Sequence, residues 1–281
     1  MSSTYTRAQD QGGIAVVTGA ASGVGRVAAQ RFAEAGFGVV LADLPGAALD
    51  QATAEISEMA QGQAVVAVPT DISEPEEIAE LADQSFALGD VAVLMNNAGI
   101  GLRTTAWGET EHWQKMIDVN LLGVMHGIHS FVPRMIEADR PAVVINTGSK
   151  QGITTPPGNP GYNMCKAAVK VMTEQLAHEL RAANADISAH LFVPGFTYTG
   201  MIARIIPEKP AAAWTSEQTV DYFIGRMSQG DFYVLCPDND VTEDLDRRRV
   251  SWSVGDILEN RPALSRWHPD YAEAFKAFER G

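Results

Sequence analysis

The run Thr18-Gly19-Ala20-Ala21-Ser22-Gly23-Val24-Gly25 lies between two patterns of different period. Ahead of it, Ile14-Ala15-Val16-Val17 is an apolar run of strand length; behind it, residues 24–35 repeat apolar side chains at helical spacing. The glycines therefore fall at a strand-to-helix junction. There the free N–H groups and the positive end of the helix dipole face outward, and glycine lets an anion approach the backbone closely. Such a junction suits a pyrophosphate. A plain packing turn is the alternative, and the strand and helix on either side weigh against it.

Six more apolar runs follow, at 39–42, 64–68, 91–95, 142–146, 187–193 and 232–235, with amphipathic stretches between them. Near-continuous apolar runs suit strands buried on both faces, and their alternation with helices builds a parallel sheet covered on both sides. The expected fold is α/β, a doubly wound parallel sheet of about seven strands flanked by helices, with ligands bound outside the carboxyl ends of the strands. No repeat or low-complexity linker interrupts the 281 residues, so 1–281 are expected to form one domain. Within it, residues 1–12 read as flexible, 195–215 with Pro207 and Pro210 as a mobile substrate loop, and 237–281 as a C-terminal extension.

Thirty-five acidic side chains against 21 basic ones give a net charge of −14, which argues against nucleic acid as a partner. Arg247-Arg248-Arg249 is embedded among acidic residues. No stretch has the length of a membrane span, the first residues are polar, and Cys165 and Cys236 alone make no disulfide framework; a cytoplasmic, reducing location follows as the expectation. His126 and His129 lack carboxylates or thiols at ligand spacing, so no metal is expected.

Asp43 ends the second strand, 18 residues beyond Gly25. A carboxylate there accepts hydrogen bonds from adenosine ribose hydroxyls and repels a 2′-phosphate; Leu44, Pro45 and Gly46 bring no compensating cation, so NAD is expected over NADP. Asp43 as a helix cap is a compatible second reading. Further on, Tyr162 and Lys166 stand four apart and so share a helix face. A phenol with a free pKa of about 10 is a poor base at neutral pH, and lowering it by roughly 3 units takes about 4 kcal/mol of differential stabilisation. An ammonium and a nicotinamide cation nearby would supply it. Ser149, just past the strand at 142–146, has a hydroxyl that could donate to a substrate oxygen as charge develops on it.

In this order and spacing, the glycine turn, Asn96-Asn97-Ala98-Gly99, Asn120, Ser149, Tyr162-x-x-x-Lys166 and Pro194-Gly195 resemble the short-chain dehydrogenase/reductase superfamily, in its single-domain, Rossmann-type branch. The resemblance runs from Ile14 to about Thr199. It implies catalytic roles for Asn120, Ser149, Tyr162 and Lys166: Tyr162 as general acid/base, Ser149 polarising the substrate oxygen, Lys166 lowering the Tyr162 pKa, and Asn120 holding a water. It implies an NAD site formed by Thr18, Gly19, Ser22, Gly23, Val24, Gly25, Asp43, Leu44, Asp71, Ile72, Asn97, Ala98, Gly99, Tyr162, Lys166, Pro194, Gly195, Thr197 and Thr199. It also implies a small-molecule alcohol or ketone as substrate and a homo-oligomer, dimer or tetramer.

Many members end soon after the last strand; this chain continues for some forty residues, with a helix expected from 242 to about 252. That tail either packs on its own subunit or reaches a neighbour's cleft with Trp252, Trp267 and Tyr271. Leu102, Trp107, Ile153, Pro156, Tyr198, Met201, Ile202 and Trp214 are candidate pocket residues, which suits a lipophilic or aromatic secondary alcohol. Lys150, Gln151 and Asn159 are the polar groups a polyol or sugar would use instead. A non-catalytic NAD(H)-sensing protein is the alternative from another class.

Overall fold

The computed structural model describes residues 2–60 and 62–280; Met1, Gln61 and Gly281, which include the outer ends of the two terminal segments, lie outside the described residues. In chain order the first half runs α1 (Thr4–Gln11), β1 (Ile14–Thr18), α2 (Gly23–Glu34), β2 (Gly38–Asp43), α3 (Ala47–Met59), β3 (Val65–Pro69), α4 (Pro75–Leu88), β4 (Val91–Asn96) and α5 (Thr110–Ile117). A π turn (Asp118–Leu122) leads into α6 (Gly123–Glu137), β5 (Ala142–Thr147), the single turn α7 (Gln151–Thr154) and the long α8 (Pro160–Ala182). Then come β6 (Ile187–Val193), α9 (Gly200–Ala203), α10 (Ser216–Met227), β7 (Tyr233–Leu235), α11 (Glu243–Leu258), two short 3-10 turns and α12 (Ala272–Arg280).

The seven strands form one all-parallel sheet in the order β3-β2-β1-β4-β5-β6-β7. The order reverses between β1 and β4, which opens the crevice where ligands of doubly wound sheets bind. Alternate strand residues feed two cores, as the period of two requires. On one face Val17, Leu41 and Met95 pack against α1, α2, α3 and α10; on the other Val16, Val40 and Leu94 pack against α4, α6 and α8. Both faces are covered, which is why the strands read as unbroken apolar runs. Phe32, Phe131, Phe192 and Phe223 are almost wholly buried, each stabilising the fold by about 2 kcal/mol.

Where flexibility is expected in residues 1–12, the described part is largely helical. Residues 4–11 are helical: Ser3 Oγ accepts from Thr6 N at 3.2 Å, Gly12 ends the helix at φ 69°, and Arg7 pairs with Asp186. The mean composition is polar, but Tyr5 and Ala8 share one face and are buried, and the Tyr5 ring lies 6.4 Å from Phe32 and 6.2 Å from Phe37. Segment 195–215 is likewise more ordered at its base than expected. Tyr198 N donates to Trp214 O at 2.9 Å and Trp214 N to Phe196 O at 2.9 Å, while residues 204–209 at the tip are exposed.

The tail helix begins where expected and runs further, to Leu258, capped by Thr242 Oγ1, which accepts from Leu245 N at 3.3 Å. Beyond it the chain folds back on itself. Trp252 Nε1 donates to Ser265 Oγ at 2.8 Å, and the indole meets Phe275 and Phe278 at 5.2 Å each.

Candidate active site

Three strand ends are tied together at the glycine turn. Thr18 Oγ1 accepts from Asn97 N at 2.9 Å and Ala98 N at 3.1 Å, Asn97 Nδ2 donates to Thr18 O at 3.0 Å, and Thr147 Oγ1 donates to Asn97 Oδ1 at 3.2 Å. These bonds join β1, β4 and β5. Deeper, Asn96 Nδ2 donates to Asn146 Oδ1 at 2.8 Å, and a Cβ on Gly127 would overlap Asn96 Oδ1 at 2.1 Å. A buried polar ladder and the glycine that leaves room for it hold the edge of the sheet.

The turn itself leaves little room for side chains. Gly19 and Gly23 have φ values of 68° and 56°, in the left-handed region. A Cβ on Gly25 would lie 2.1 Å from Gly19 O, one on Gly19 would lie 2.8 Å from Ala98 Cα, and one on Gly23 would lie 3.3 Å from Thr199 Cβ. Ser22, at the N-cap of α2, makes no side-chain cap bond, and the first helical bond is Arg26 N to Ser22 O at 3.2 Å. The free donors of the first turn thus open under Thr199. This turn fits a dinucleotide pyrophosphate, since the first-turn donors are left free and the close backbone packing that shapes it, with Cβ atoms on Gly19 or Gly25 colliding with neighbouring main chain, admits only glycine.

Asp43 is held beside the turn: Oδ2 accepts from Ala21 N at 2.9 Å and Oδ1 from Leu44 N at 2.8 Å. Past it a cleft of about 600 Å³ is lined by Leu44, Pro45, Val68, Pro69, Asp71 and Glu77. Of the expected cofactor residues, Val24, Ile72 and Thr197 turn their side chains inward. Val24 is in the core, Ile72 packs on Gly123, and Thr197 Oγ1 lies 2.9 Å from Thr219 Oγ1. Those three, with Thr18 and Asn97, offer a ligand backbone and shape. Gly195 is pressed against Cys236 O and Pro237 O, each 2.6 Å from where its Cβ would stand.

Asn120, Tyr162 and Lys166 lie across from Gly99. A Cβ on Gly99 would stand 3.0 Å from Asn120 Oδ1 and 3.7 Å from Lys166 Nζ, so glycine there brings the Asn97–Gly99 loop onto both. Asn120 is fully buried in the π turn, a local distortion of its helix; its Nδ2 donates to Ile100 O at 2.9 Å and its Oδ1 accepts from Ile100 N at 2.8 Å. Lys166 Nζ donates to Thr147 O at 2.7 Å and lies 5.8 Å from the centre of the Tyr162 ring. Ser149 stands close enough to Tyr162 for its side chain to weigh on the titration of the phenol. Gly152 presses α7 onto α8, where a Cβ would come within 2.4 Å of the Lys166 carbonyl carbon.

Burial dominates the titration of this corner. It pushes the Tyr162 phenol above its ordinary value, against the lowering effect of the nearby Ser149 side chain. It pulls the Lys166 ammonium down to about 8. The low phenol pKa expected from the sequence is therefore not a property of the chain by itself; further positive charge at the hydroxyl is needed.

Sequence reasoning passed over Thr104. It is buried, its Oγ1 accepts from Gly161 N at 3.1 Å and donates to Asn159 Oδ1 at 2.8 Å, and Asn159 Oδ1 caps α8 by accepting from Tyr162 N at 3.5 Å. The Asn159-Pro160 pair, a cap residue before proline at a helix start, was the available signal. On the substrate side the structure separates the candidates. Ile153 faces the core, and Trp214 meets Tyr222 edge-on at 5.8 Å while its Nε1 donates to Asn239 Oδ1 at 3.0 Å. Met201 lies over Gly101, Tyr198 Oη donates to Pro207 O at 2.5 Å, and Trp107 is 92% exposed.

The family model for the short chain dehydrogenases matches residues 13–210. The chain is 36% identical over 211 residues to a 1-deoxy-11-beta-hydroxypentalenate dehydrogenase of Streptomyces exfoliatus, covering 74% of this chain and 75% of that one. It is 33% identical to 3beta-hydroxysteroid dehydrogenase 2 of Eggerthella lenta, covering 68% and 73%. A short chain dehydrogenase/reductase from Burkholderia phymatum, solved in complex with NAD, superimposes with a TM-score of 0.80 at 30% identity over 89% of this chain and 96% of that one. The protein belongs to the short-chain dehydrogenase/reductase family. It is an oxidoreductase of a family that binds nicotinamide cofactors and acts on small molecules. Among the described residues no helix is long and apolar enough to cross a membrane.

Proposed function

We propose that this chain is an NAD-dependent alcohol dehydrogenase/ketone reductase acting on a lipophilic secondary alcohol, with Tyr162 as general acid/base. The observation that carries the reading is the convergence of Tyr162, Lys166 and Asn120 at Gly99: Lys166 Nζ lies 5.8 Å from the centre of the Tyr162 ring and 3.7 Å from where a Gly99 Cβ would stand, and Asn120 Oδ1 3.0 Å from it, with Ser149 beside the phenol. A bound nicotinamide supplies the hydride acceptor or donor. In oxidation the substrate hydroxyl proton passes to Tyr162 Oη; in reduction Tyr162 Oη returns it to the carbonyl oxygen. Ser149 Oγ donates to that oxygen as charge develops, and the Lys166 charge favours the ionised phenol. Asn120, locked to Ile100, fixes the backbone of the π turn beside Lys166.

Asp43 beside the glycine turn, with no cation after it, supports NAD over NADP. The lipophilic preference is supported by what the polar candidates do: Lys150 is paired with Asp246 and Asn159 with Thr104, which leaves a polyol fewer partners. Relatives named for a hydroxypentalenate and a hydroxysteroid point the same way. One continuous sheet supports a single working domain over 1–281, and the exposed Val254, Ile257 and Leu258 on α11 support a homo-oligomer. The absence of a long apolar helix among the described residues is compatible with a cytoplasmic enzyme.

The test is nicotinamide absorbance with NAD⁺ and NADP⁺ across aryl, terpenoid, steroid and polyol secondary alcohols, with Tyr162→Phe alongside. Turnover with NAD⁺ on the lipophilic members, reduced about 10²–10⁴-fold in Tyr162→Phe, is expected. Turnover unaffected by the substitution overturns the role of Tyr162, and NAD(H) binding without turnover on any member favours the sensing alternative.

A further inference from the structure

Lys150 immediately follows Ser149, yet its side chain leaves the site. Nζ lies 2.6 Å from Asp246 Oδ2, on α11, and 3.7 Å from Asp238 Oδ2, in the loop after β7. Both carboxylates are buried, at 5% and 9% exposure. Asp238 is itself committed: Oδ2 accepts from Phe196 N at 3.1 Å, and Oδ1 from Asp240 N at 3.1 Å and Val241 N at 2.9 Å. One buried charge cluster thus joins three segments distant in sequence. They are the Ser149 turn, the Pro194-Gly195-Phe196 turn pressed against Cys236 and Pro237, and the C-terminal extension.

From this geometry we infer that Lys150 is a positioning residue, and that its ion pairs with Asp238 and Asp246 let the C-terminal tail set where Ser149 stands relative to Tyr162. The inference rests on the catalytic reading given above for Ser149. Ser149 Oγ receives only one local hydrogen bond, from Gln151 N at 3.2 Å, so its turn is not held by its own hydroxyl. The backbone of the turn is closed by Gly152 N to Ser149 O at 2.9 Å and Ile153 N to Lys150 O at 3.0 Å, and the side-chain constraint on where that turn sits is the next residue, anchored in a buried pair whose members cannot separate without leaving a charge in an apolar setting. Small displacements of an oxygen that must meet both substrate and base cost rate steeply. The tail is therefore part of the active-site frame and contributes no group to the chemistry.

The experiment compares the full-length parent with Asp246→Asn, Lys150→Met and Lys150→Arg. It measures amide hydrogen exchange over 149–155 and steady-state kinetics on an alcohol the parent oxidises. Expected are at least fivefold faster exchange in that segment for Asp246→Asn and Lys150→Met, with exchange in residues 170–180 of α8 unchanged. The expected kinetic change is a kcat about tenfold lower, KM for NAD⁺ within twofold of the parent, and recovery of most of kcat in Lys150→Arg. A single variant that does not fold is replaced by Lys150→Met/Asp246→Leu, which exchanges the buried pair for apolar packing and should show the same loss of kcat. Unchanged exchange and unchanged kcat in folded variants of an active parent overturn the positioning role alone. Faster exchange with kcat unaltered overturns the link to Ser149. A parent with no turnover on any alcohol overturns the catalytic reading, and the inference with it.

Discussion

The carboxyl edge of the sheet and the C-terminal tail solve the problem of ordering a segment in opposite ways. At the edge, order comes from backbone and small residues: Thr18, Asn97 and Thr147 bond to main chain or to each other, and the glycines bring loops within van der Waals reach. In the tail, order comes from large side chains clustered on Trp252, with Arg261 stacked 4.1 Å from the indole centre and Arg248 Nη1 donating to Glu279 O at 2.8 Å. The first arrangement tolerates almost no added atom. The second depends on one large aromatic and tolerates change elsewhere. A site that must meet a ligand with sub-ångström accuracy is built the first way, and a scaffold that braces it from outside can be built the second.

The strongest way to break the first arrangement is Gly25→Ala. The added Cβ would sit 2.1 Å from Gly19 O, a backbone atom that cannot move without opening the β1–α2 turn. A loss of at least about 3 kcal/mol of stability is expected, together with loss of NAD(H) binding. Chemical denaturation and NADH fluorescence titration measure the two. A variant that keeps both within error would mean that the turn is compliant and the contrast with the tail is misplaced.

That glycine turn was fully legible in the sequence, as were all seven strands, because buried parallel strands and their junctions leave period and glycine signals that do not depend on distant partners. Tyr162 and Lys166 were legible for the same reason, being four apart on one helix. What escaped was set by contacts across the chain. Residues 4–11 read as polar because only Tyr5 and Ala8 face the core, and the pocket for them is made by Phe32 and Phe37. Thr104 and Asn159 lie 55 positions apart and meet only because α8 begins where the loop after β4 passes. The burial that raises the phenol pKa in the chain by itself is invisible in a motif. The destination of Lys150 was hidden too, since its partners are 88 and 96 residues away.

Trp252→Ala is the matching test of the tail. Removing a buried indole, its hydrogen bond to Ser265 and its two aromatic neighbours should cost about 3–5 kcal/mol. If the tail is a separate cooperative unit, limited proteolysis will cut within 243–280 first and leave the sheet as a stable fragment. A single lower thermal transition with no such fragment would show that tail and sheet unfold together, and the distinction between the two regions would then be one of packing style only.

The smallest expected effect separates the buried lysine of the edge from the exposed charges that dominate the rest of the surface. Lys166 is 4% exposed and its ammonium is pulled by burial from 10.5 to about 8, so between those values the unfolded chain holds a proton that the folded chain has released. Stability rises with pH wherever the unfolded state binds more protons. The contribution of Lys166 is therefore unfavourable at and below about pH 8, and the penalty is relieved as pH climbs toward 10.5. Lys166→Met lacks this titration but shares every other one. The stability of the parent minus that of the variant, from urea midpoints, should become more favourable to the parent between pH 8 and 10, by an amount no greater than about 3 kcal/mol. The loss of the bond from Nζ to Thr147 O adds an offset that hardly changes over this range. A flat difference would mean that Lys166 keeps its charge in the folded protein throughout, with an ordinary pKa despite its burial. The ammonium would then remain available beside Tyr162 across the alkaline range, where the proposed general base would ionise.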